Sequence, residues 1–198
     1  MLDIEQIKTR LHDHRPIRIH RSVDRQAAVA MLLRQCGHET EVLFIRRAEH
    51  DKDPWSGDLG FPGGRIEEQD LTARAAAERE TYEEIGLRLN EDNYLGQGDD
   101  LVGAYLSVRI SCFIYAIDSE TRFQLNPEVV DLFWVPLITL LDPQRNQRLS
   151  FSYRGKEREH PVIHLNEWSD RPLWGITYRL TSNFLNIFGL SFTYPEYP

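Results

Sequence analysis

The chain has 198 residues, 41% of them hydrophobic and 27% charged, the balance of a globular protein with room for one sizeable core. Its 31 acids against 23 bases give a net charge of −8, which argues against a nucleic-acid-coating surface, because that needs a basic stripe. No apolar run is long enough to span a bilayer, and the charged N-terminus MLDIEQIKTRLHDHRP does not read as a signal peptide, so no membrane partner is expected and the expected setting is the cytoplasm.

Leu2, Ile4, Ile7 and Leu11 recur at helical spacing and predict a short amphipathic helix over about 1–14, ending before Pro16. AAVAMLLR (27–34) and EVLFIRRA (41–48) are apolar runs on either side of QCGHET and predict an antiparallel hairpin. DKDPWSGDLGFPGG (51–64), rich in Asp, Pro and Gly, reads as a loop. ARAAAERETYEEI has high helix propensity, so a helix is expected from about Thr72 to Ile85, stopped by Gly86. LSVRISCFIYAI (106–117) is β-branched and aromatic and predicts a core strand, and DLFWVPL (131–137) predicts another, ending at Pro136. Residues 149–165 read as a strand pair about the turn Arg154-Gly155. A last helix is expected over 173–188, burying Trp174, Ile176, Leu180, Phe184, Leu185 and Phe188. No repeat or linker stands out, so the expectation is one domain over 1–198, of α+β class, with a mixed β-sheet layered between helices. Cys36 and Cys112 lack ligand spacing and read as ordinary buried thiols. The histidines, His12 and His14 included, lack zinc spacing and read as structural or exposed.

On the 72–85 helix, Glu80, Glu83 and Glu84 share a face, where each like-charge pair costs about a few tenths of a kcal/mol. A solvated acidic face is the ordinary meaning of such a cluster. The alternative is a site for hard divalent cations, Mg²⁺ or Mn²⁺, which take carboxylate and phosphate oxygens. The upstream turn Phe61-Pro62-Gly63-Gly64 favours the second, because glycine lets the backbone come close to a metal or phosphate and offers a carbonyl as ligand. Arg79, beside Glu80, is placed to pair with an acid earlier in the loop, such as Asp70.

Gly64, Arg79-Glu80, Glu83-Glu84 and Gly86-Leu87 together resemble the Nudix box, the signature of the Nudix hydrolases. Three positions depart from the family pattern: Asp70 stands for the first Glu, eight residues rather than seven separate it from Arg79, and Thr81 fills an apolar slot. The first two departures are shared by the subgroup resembling coenzyme A pyrophosphatases. So is the order Arg47-Ala48, Lys52, Gly57, Phe61-Pro62-Gly63-Gly64, though with one extra residue between Lys52 and Gly57 and with Lys in place of the usual Arg, and Trp174-Gly175-Ile176-Thr177 looks like this subgroup's final helix. Pro127-Glu128-Val129-Val130, leading to Trp134-Val135-Pro136-Leu137, resembles the segment that follows the core strands in Nudix domains. The resemblance covers roughly residues 25–190.

The resemblance implies a hydrolase that cleaves the diphosphate of a small nucleoside diphosphate derivative with Mg²⁺ or Mn²⁺. It implies Glu80 and Glu84 as the main metal ligands, with Glu83 sharing a second ion or orienting its water and the Gly64 carbonyl completing the shell. Arg79, Glu83, Glu84 and Glu128 are the catalytic candidates, Glu128 as a loop general base. Asp99 and Asp100 are weaker candidates, and Glu67 and Glu68 read as surface acids. Arg46, Arg47, Lys52 and Arg65 are the candidates for holding substrate phosphates, including the 3′-phosphate that marks coenzyme A. Trp55 and Phe61 could line the site. Other Nudix substrates stay open: ADP-ribose, NADH, or a dinucleoside polyphosphate, for which Tyr105 is a weak sign. No proline between Leu87 and Asn126 matches the one expected in ADP-ribose enzymes. A non-catalytic Nudix-fold binding module is the alternative from another class. The apolar residues of 1–24 and of the C-terminal tail could serve a homodimer.

Overall fold

The computed structural model describes residues 2–20, 23, 25–50, 56–103, 107–153 and 156–193. Lys52, Trp55, Tyr105 and the Arg154-Gly155 turn lie outside them. The first half of the chain runs α1 (Ile4–Asp13), β1 (Arg25–Cys36), β2 (Glu39–Arg47), β3 (Leu59–Gly60), β4 (Gly63–Arg65), α2 (Ala73–Ile85), β5 (Tyr94–Gln97) and β6 (Leu101–Val102). The second half runs β7 (Val108–Ala116), β8 (Val129–Pro136), α3 (Leu137–Leu140), β9 (Asn146–Tyr153), β10 (Lys156–Ile163), β11 (Leu173–Trp174) and α4 (Gly175–Ile187).

The main sheet has the order β3-β2-β1-β7-β5, with β8 added on β2, β4 on β1 and β6 on β7. β1 and β7 run parallel, and the other neighbours run antiparallel. Strand side chains alternate between the two faces, and β1 uses both. Ala28, Ala30 and Leu32 join the core with Ala76, Ala77 and Ile85 of α2. Met31 and Leu33 join the opposite core with Ile7 and Leu11 of α1 and Leu180, Phe184 and Leu185 of α4. Helices thus cover both faces of a mixed sheet, the α+β layering expected. Each such Leu, Ile or Phe contributes roughly 1.5–3 kcal/mol relative to staying exposed. β9, β10 and β11 form a separate antiparallel three-stranded sheet.

Several elements differ from expectation. Within the 51–64 loop, Leu59-Gly60 pairs with β2 and Gly63–Arg65 pairs with β1; these strands are set by backbone pairing and carry no apolar alternation. β5 and β6 are likewise short. The last helix starts at Gly175, because Leu173-Trp174 is held in sheet pairing by Ile163 and Val162 and Gly175 has a left-handed φ of 62°. Trp174 is therefore a strand residue. Cys112 is buried, but Cys36 is exposed at the end of the hairpin. Among the described residues no helix is long and apolar enough to cross a membrane.

Candidate active site

Thr72 caps α2 by accepting the Ala75 N–H at 3.0 Å, and Gly86 ends it with φ 72°. Between them Ala76, Ala77, Thr81, Glu84 and Ile85 are the buried residues. They form the sheet-facing stripe, so Glu84 occupies a core-facing position. Thr81 is tolerated in its apolar slot because its hydroxyl donates to the Ala77 carbonyl at 2.7 Å, one turn back.

Glu84 is 2% exposed. Its carboxylate accepts the Gly63 N–H at 2.8 Å and lies 3.5 Å from Arg47 Nη1. Burial pushes its pKa up to about 7, against the pull of Gly63 and Arg47 and with the push of the Glu80 and Glu128 charges. Burial also raises Glu80; Arg79 opposes this, and Glu83 and Glu128 add to it. Glu83 is the outermost of the three, with its side chain 52% exposed. The three acids of the shared face therefore differ in depth, Glu84 deepest and Glu83 outermost.

Arg79 ties the preceding loop to this face. Its Nε and Nη2 each donate to Asp70 at 3.0 Å, and Nη2 reaches the Arg65 carbonyl at 3.1 Å. Nη1 donates to Glu80 at 3.1 Å and Glu83 at 2.9 Å. The guanidinium holds the Asp70 carboxyl below its ordinary range. The shorter acid and the longer loop thus still close in a two-point pair.

The two glycines upstream work by close approach. A Cβ on Gly63 would stand 2.3 Å from the Ala28 carbonyl oxygen and 2.5 Å from Val29 Cα, at φ 148°. A Cβ on Gly64 would stand 2.5–2.7 Å from the Glu80 carboxylate, so only glycine lets that carboxylate lie on the backbone. Glu128 arrives from the loop before β8. Its carbonyl accepts the Ala48 N–H at 2.7 Å, and Asn126 N–H donates to the Glu84 carbonyl at 2.9 Å. That loop is laced to the ends of β2 and α2.

Gly64, Arg79, Glu80, Glu83, Glu84 and Glu128 all line one cavity of about 790 Å³. Of the candidate phosphate-binding residues, Arg47 and Arg65 line it too. Arg46 does not: it pairs with Asp170 at 3.2 Å, as successive strand side chains point to opposite faces. Lys52 lies outside the described residues. Phe61 both lines the cavity and stacks on Phe44, with ring centroids 5.3 Å apart. Asp99 and Asp100 serve elsewhere, anchoring residues 14–19: Asp99 meets His14 and the Ile17 N–H, and Asp100 is buried against Ser111 and the Ile19 N–H.

The sequence reading missed one wall of this cavity. Trp174 stacks on Phe151 at 4.0 Å with rings 4° from parallel, meets His160 edge-on at 5.7 Å, and donates its indole N–H to Asp58 at 2.9 Å. Trp174 and His160 line the cavity, His160 packing edge-on against both Trp174 and Phe151. Burial, followed by the Arg158 and Arg148 charges, lowers its pKa. The available signal was Gly175: glycine is a poor helix-interior residue, and it marks Leu173-Trp174 as preceding the helix.

A family model of the NUDIX domain matches residues 24–154, which spans the main sheet, α2 and the glutamates. The chain belongs to the Nudix family. It is 30% identical over 180 residues to a probable nudix hydrolase of Schizosaccharomyces pombe, covering 89% of this chain and 61% of that protein. It is 27% identical over 183 residues to a peroxisomal coenzyme A diphosphatase of Caenorhabditis elegans, covering 89% of this chain and 70% of that protein. The chain thus spans less than two thirds of the fission-yeast relative. A MutT/nudix family protein from Enterococcus faecalis shares the fold, with a TM-score of 0.59 at 16% identity over 93% of this chain and 69% of its own. β10, β11 and α4 lie beyond the matched Nudix segment, and they supply the aromatic wall.

The donor chemistry of this Nudix box fits a hard divalent cation: two desolvated carboxylates one turn apart, one of them lying against a glycine backbone that a Cβ would push away. Among the described residues no three acid, imidazole or thiol groups converge as a ligand set. Glu80 and Glu83 each meet Arg79 through one carboxylate oxygen, Oε1 of Glu80 and Oε2 of Glu83, which leaves the other oxygen of each for a cation.

Proposed function

We propose that this chain is a metal-dependent hydrolase that cleaves the diphosphate of a nucleoside diphosphate derivative. Its favoured substrate is coenzyme A or an acyl-CoA, giving 3′,5′-ADP and (acyl-)4′-phosphopantetheine. The observation that carries the reading is Glu84, a carboxylate 2% exposed at a core-facing helix position, with Glu80 and Glu128 on the same cavity. A purely structural position would be filled by an apolar residue, since an ionised carboxylate there is costly. The choice of coenzyme A rests on the longer box, on the Phe-Pro-Gly-Gly and Trp-Gly-Ile-Thr stretches, and on likeness to the nematode diphosphatase.

In this reading Glu80 and Glu84 hold the Mg²⁺ or Mn²⁺, with Glu83 and the Gly64 carbonyl beside them. A bound divalent ion supplies charge neutralisation of the diphosphate and a more acidic water. The protein does the rest. The Gly63 N–H fixes one Glu84 oxygen. Arg79 holds the loop closed and sets the Glu80 and Glu83 carboxylates. Glu128 stands on the cavity to take the proton from the water that attacks one phosphorus in line. Arg47 and Arg65 meet substrate phosphate oxygens, and the Trp174 ring offers a rigid flat wall.

The test is a substrate panel of coenzyme A, ADP-ribose, NADH and diadenosine polyphosphates, each incubated with Mg²⁺ or Mn²⁺ and separated by chromatography. Formation of 3′,5′-ADP from coenzyme A supports the reading. Preference for another member of the panel moves the substrate assignment and keeps the chemistry. No turnover of any member removes these substrates and moves the reading to a binding module or to a substrate outside the panel.

A further inference from the structure

Five arginines line the cavity: Arg25, Arg47, Arg65, Arg79 and Arg179. Arg47 faces Glu84, and Arg79 is taken up by Asp70, Glu80 and Glu83. Arg179 has a different kind of partner. Its Nη1 donates to the Val102 carbonyl at 2.9 Å, and among the described residues no carboxylate pairs with it or with Arg25. Loss of solvent around the Arg179 guanidinium lowers its pKa, the signature of a cation held without a counter-charge. In a chain with 31 acids and 23 bases, three cavity arginines without an acid among the described residues are unexpected; Arg65, the third, adjoins Gly64 beside the glutamates, so Arg25 and Arg179 are the two set away from them.

The topology brings these two together. Arg25 on β1 is the register partner of Val108 on β7. The Val108 carbonyl accepts the Gly103 N–H at 2.9 Å, and the residue before Gly103 is Val102, which holds Arg179. Arg25 precedes Ala28 by three residues, and Ala28 is the register partner of Gly64. At about 3.3 Å per residue, Arg25 stands roughly 10 Å along β1 from the position paired with Gly64, whose backbone meets the Glu80 carboxylate. That is about the span of a ribose plus the reach of an arginine side chain. Ala27, Val29, Val108 and Ile110 line the stretch between.

We propose that Arg25 and Arg179 form an anion subsite for a phosphomonoester carried on the ribose, beyond the diphosphate that is cleaved. Two forked guanidiniums without an acid suit a phosphate dianion, whose oxygens match them in pairs. The inference rests on the diphosphate-hydrolase reading for its substrate, but it makes a separate demand on binding. It moves recognition of the extra phosphate away from Arg46, which faces Asp170.

The experiment is calorimetric titration of the full chain with 3′,5′-ADP and with 5′-AMP, paired with hydrolysis of coenzyme A and 3′-dephospho-coenzyme A. The wild type binds 3′,5′-ADP at least roughly tenfold more tightly than 5′-AMP, the effect of one charge-assisted pair. Arg25→Gln and Arg179→Gln each bring that ratio toward unity, and Arg179→Lys keeps part of it. The kcat/KM ratio of the two coenzymes falls in parallel. Equal binding of the two nucleotides by the wild type, or an unchanged ratio in both glutamine variants, overturns the subsite. Hydrolysis of both coenzymes without preference sinks the subsite and leaves the hydrolase. Selective binding of 3′,5′-ADP without turnover sinks the hydrolase and leaves the subsite.

Discussion

Glu84 shows what a single side chain costs and gives. Its folded pKa is about 7 against an ordinary 4.5. Between those values the folded protein binds a proton that the unfolded chain has released, so stability falls as pH rises from about 4.5 to about 7. The shift corresponds to about 3 kcal/mol as an upper bound, at about 1.4 kcal/mol per pKa unit. Glu84→Gln removes that cost while still accepting the Gly63 N–H. In metal-free buffer at about pH 8 the variant is expected to melt above the wild type, by up to about 3 kcal/mol. The gap closes as the pH drops below about 4.5. Melting curves at both pH values check this, and a destabilised variant at the higher pH would contradict it. The charge pattern was legible in the sequence because helical spacing alone puts Glu80, Glu83 and Glu84 on one face. Their unequal depth was not legible, because it depends on how α2 rolls on the sheet.

At the scale of elements, the glycine turn and α2 work as one unit, and Gly63 and Gly64 play different parts. A Cβ at Gly63 meets backbone of β1, whereas a Cβ at Gly64 meets the end of a flexible glutamate. Gly63→Ala is therefore expected to destabilise the fold by roughly 2 kcal/mol or more, at a backbone angle that suits glycine. Gly64→Ala is expected to leave the melting temperature near wild type and to lower activity at least roughly tenfold by displacing Glu80. Chemical denaturation and steady-state rates on both variants separate the two effects, and equal loss of stability in both would contradict it. α2 was legible to its ends, since Thr72, the alanines and Gly86 are strong local signals. β3, β4, β5 and β6 were not, because two to four residues carry no periodicity and their pairing comes from distant strands.

At the scale of the whole molecule, the cavity is closed by joining two sheets. Trp174 Nε1 reaches Asp58, Thr177 reaches the Leu59 carbonyl at 2.9 Å, Arg171 reaches Glu49 at 2.9 Å and Arg46 reaches Asp170. These contacts cross from β11, α4 and the turn before them to β3 and the end of β2. Such pairs lie far apart in the sequence, which is why the aromatic wall and the outward role of Arg46 were hidden from it while the box was not. Trp174→Ala should raise KM several-fold and cost about 2 kcal/mol of stability, for a partly buried ring. Trp174→Phe keeps the stack and should recover most of both; thermal melts and KM for coenzyme A are the readouts, and an unchanged KM in the alanine variant would remove Trp174 from the substrate wall. The central claim is that the buried glutamate face turns this Nudix scaffold into a diphosphate hydrolase. It is tested most directly by the rate of Mn²⁺-dependent coenzyme A hydrolysis in wild type and Glu84→Gln at one pH. The account predicts a fall of about three orders of magnitude or more in a variant that is at least as stable as the wild type. Near-normal turnover by that variant would contradict it.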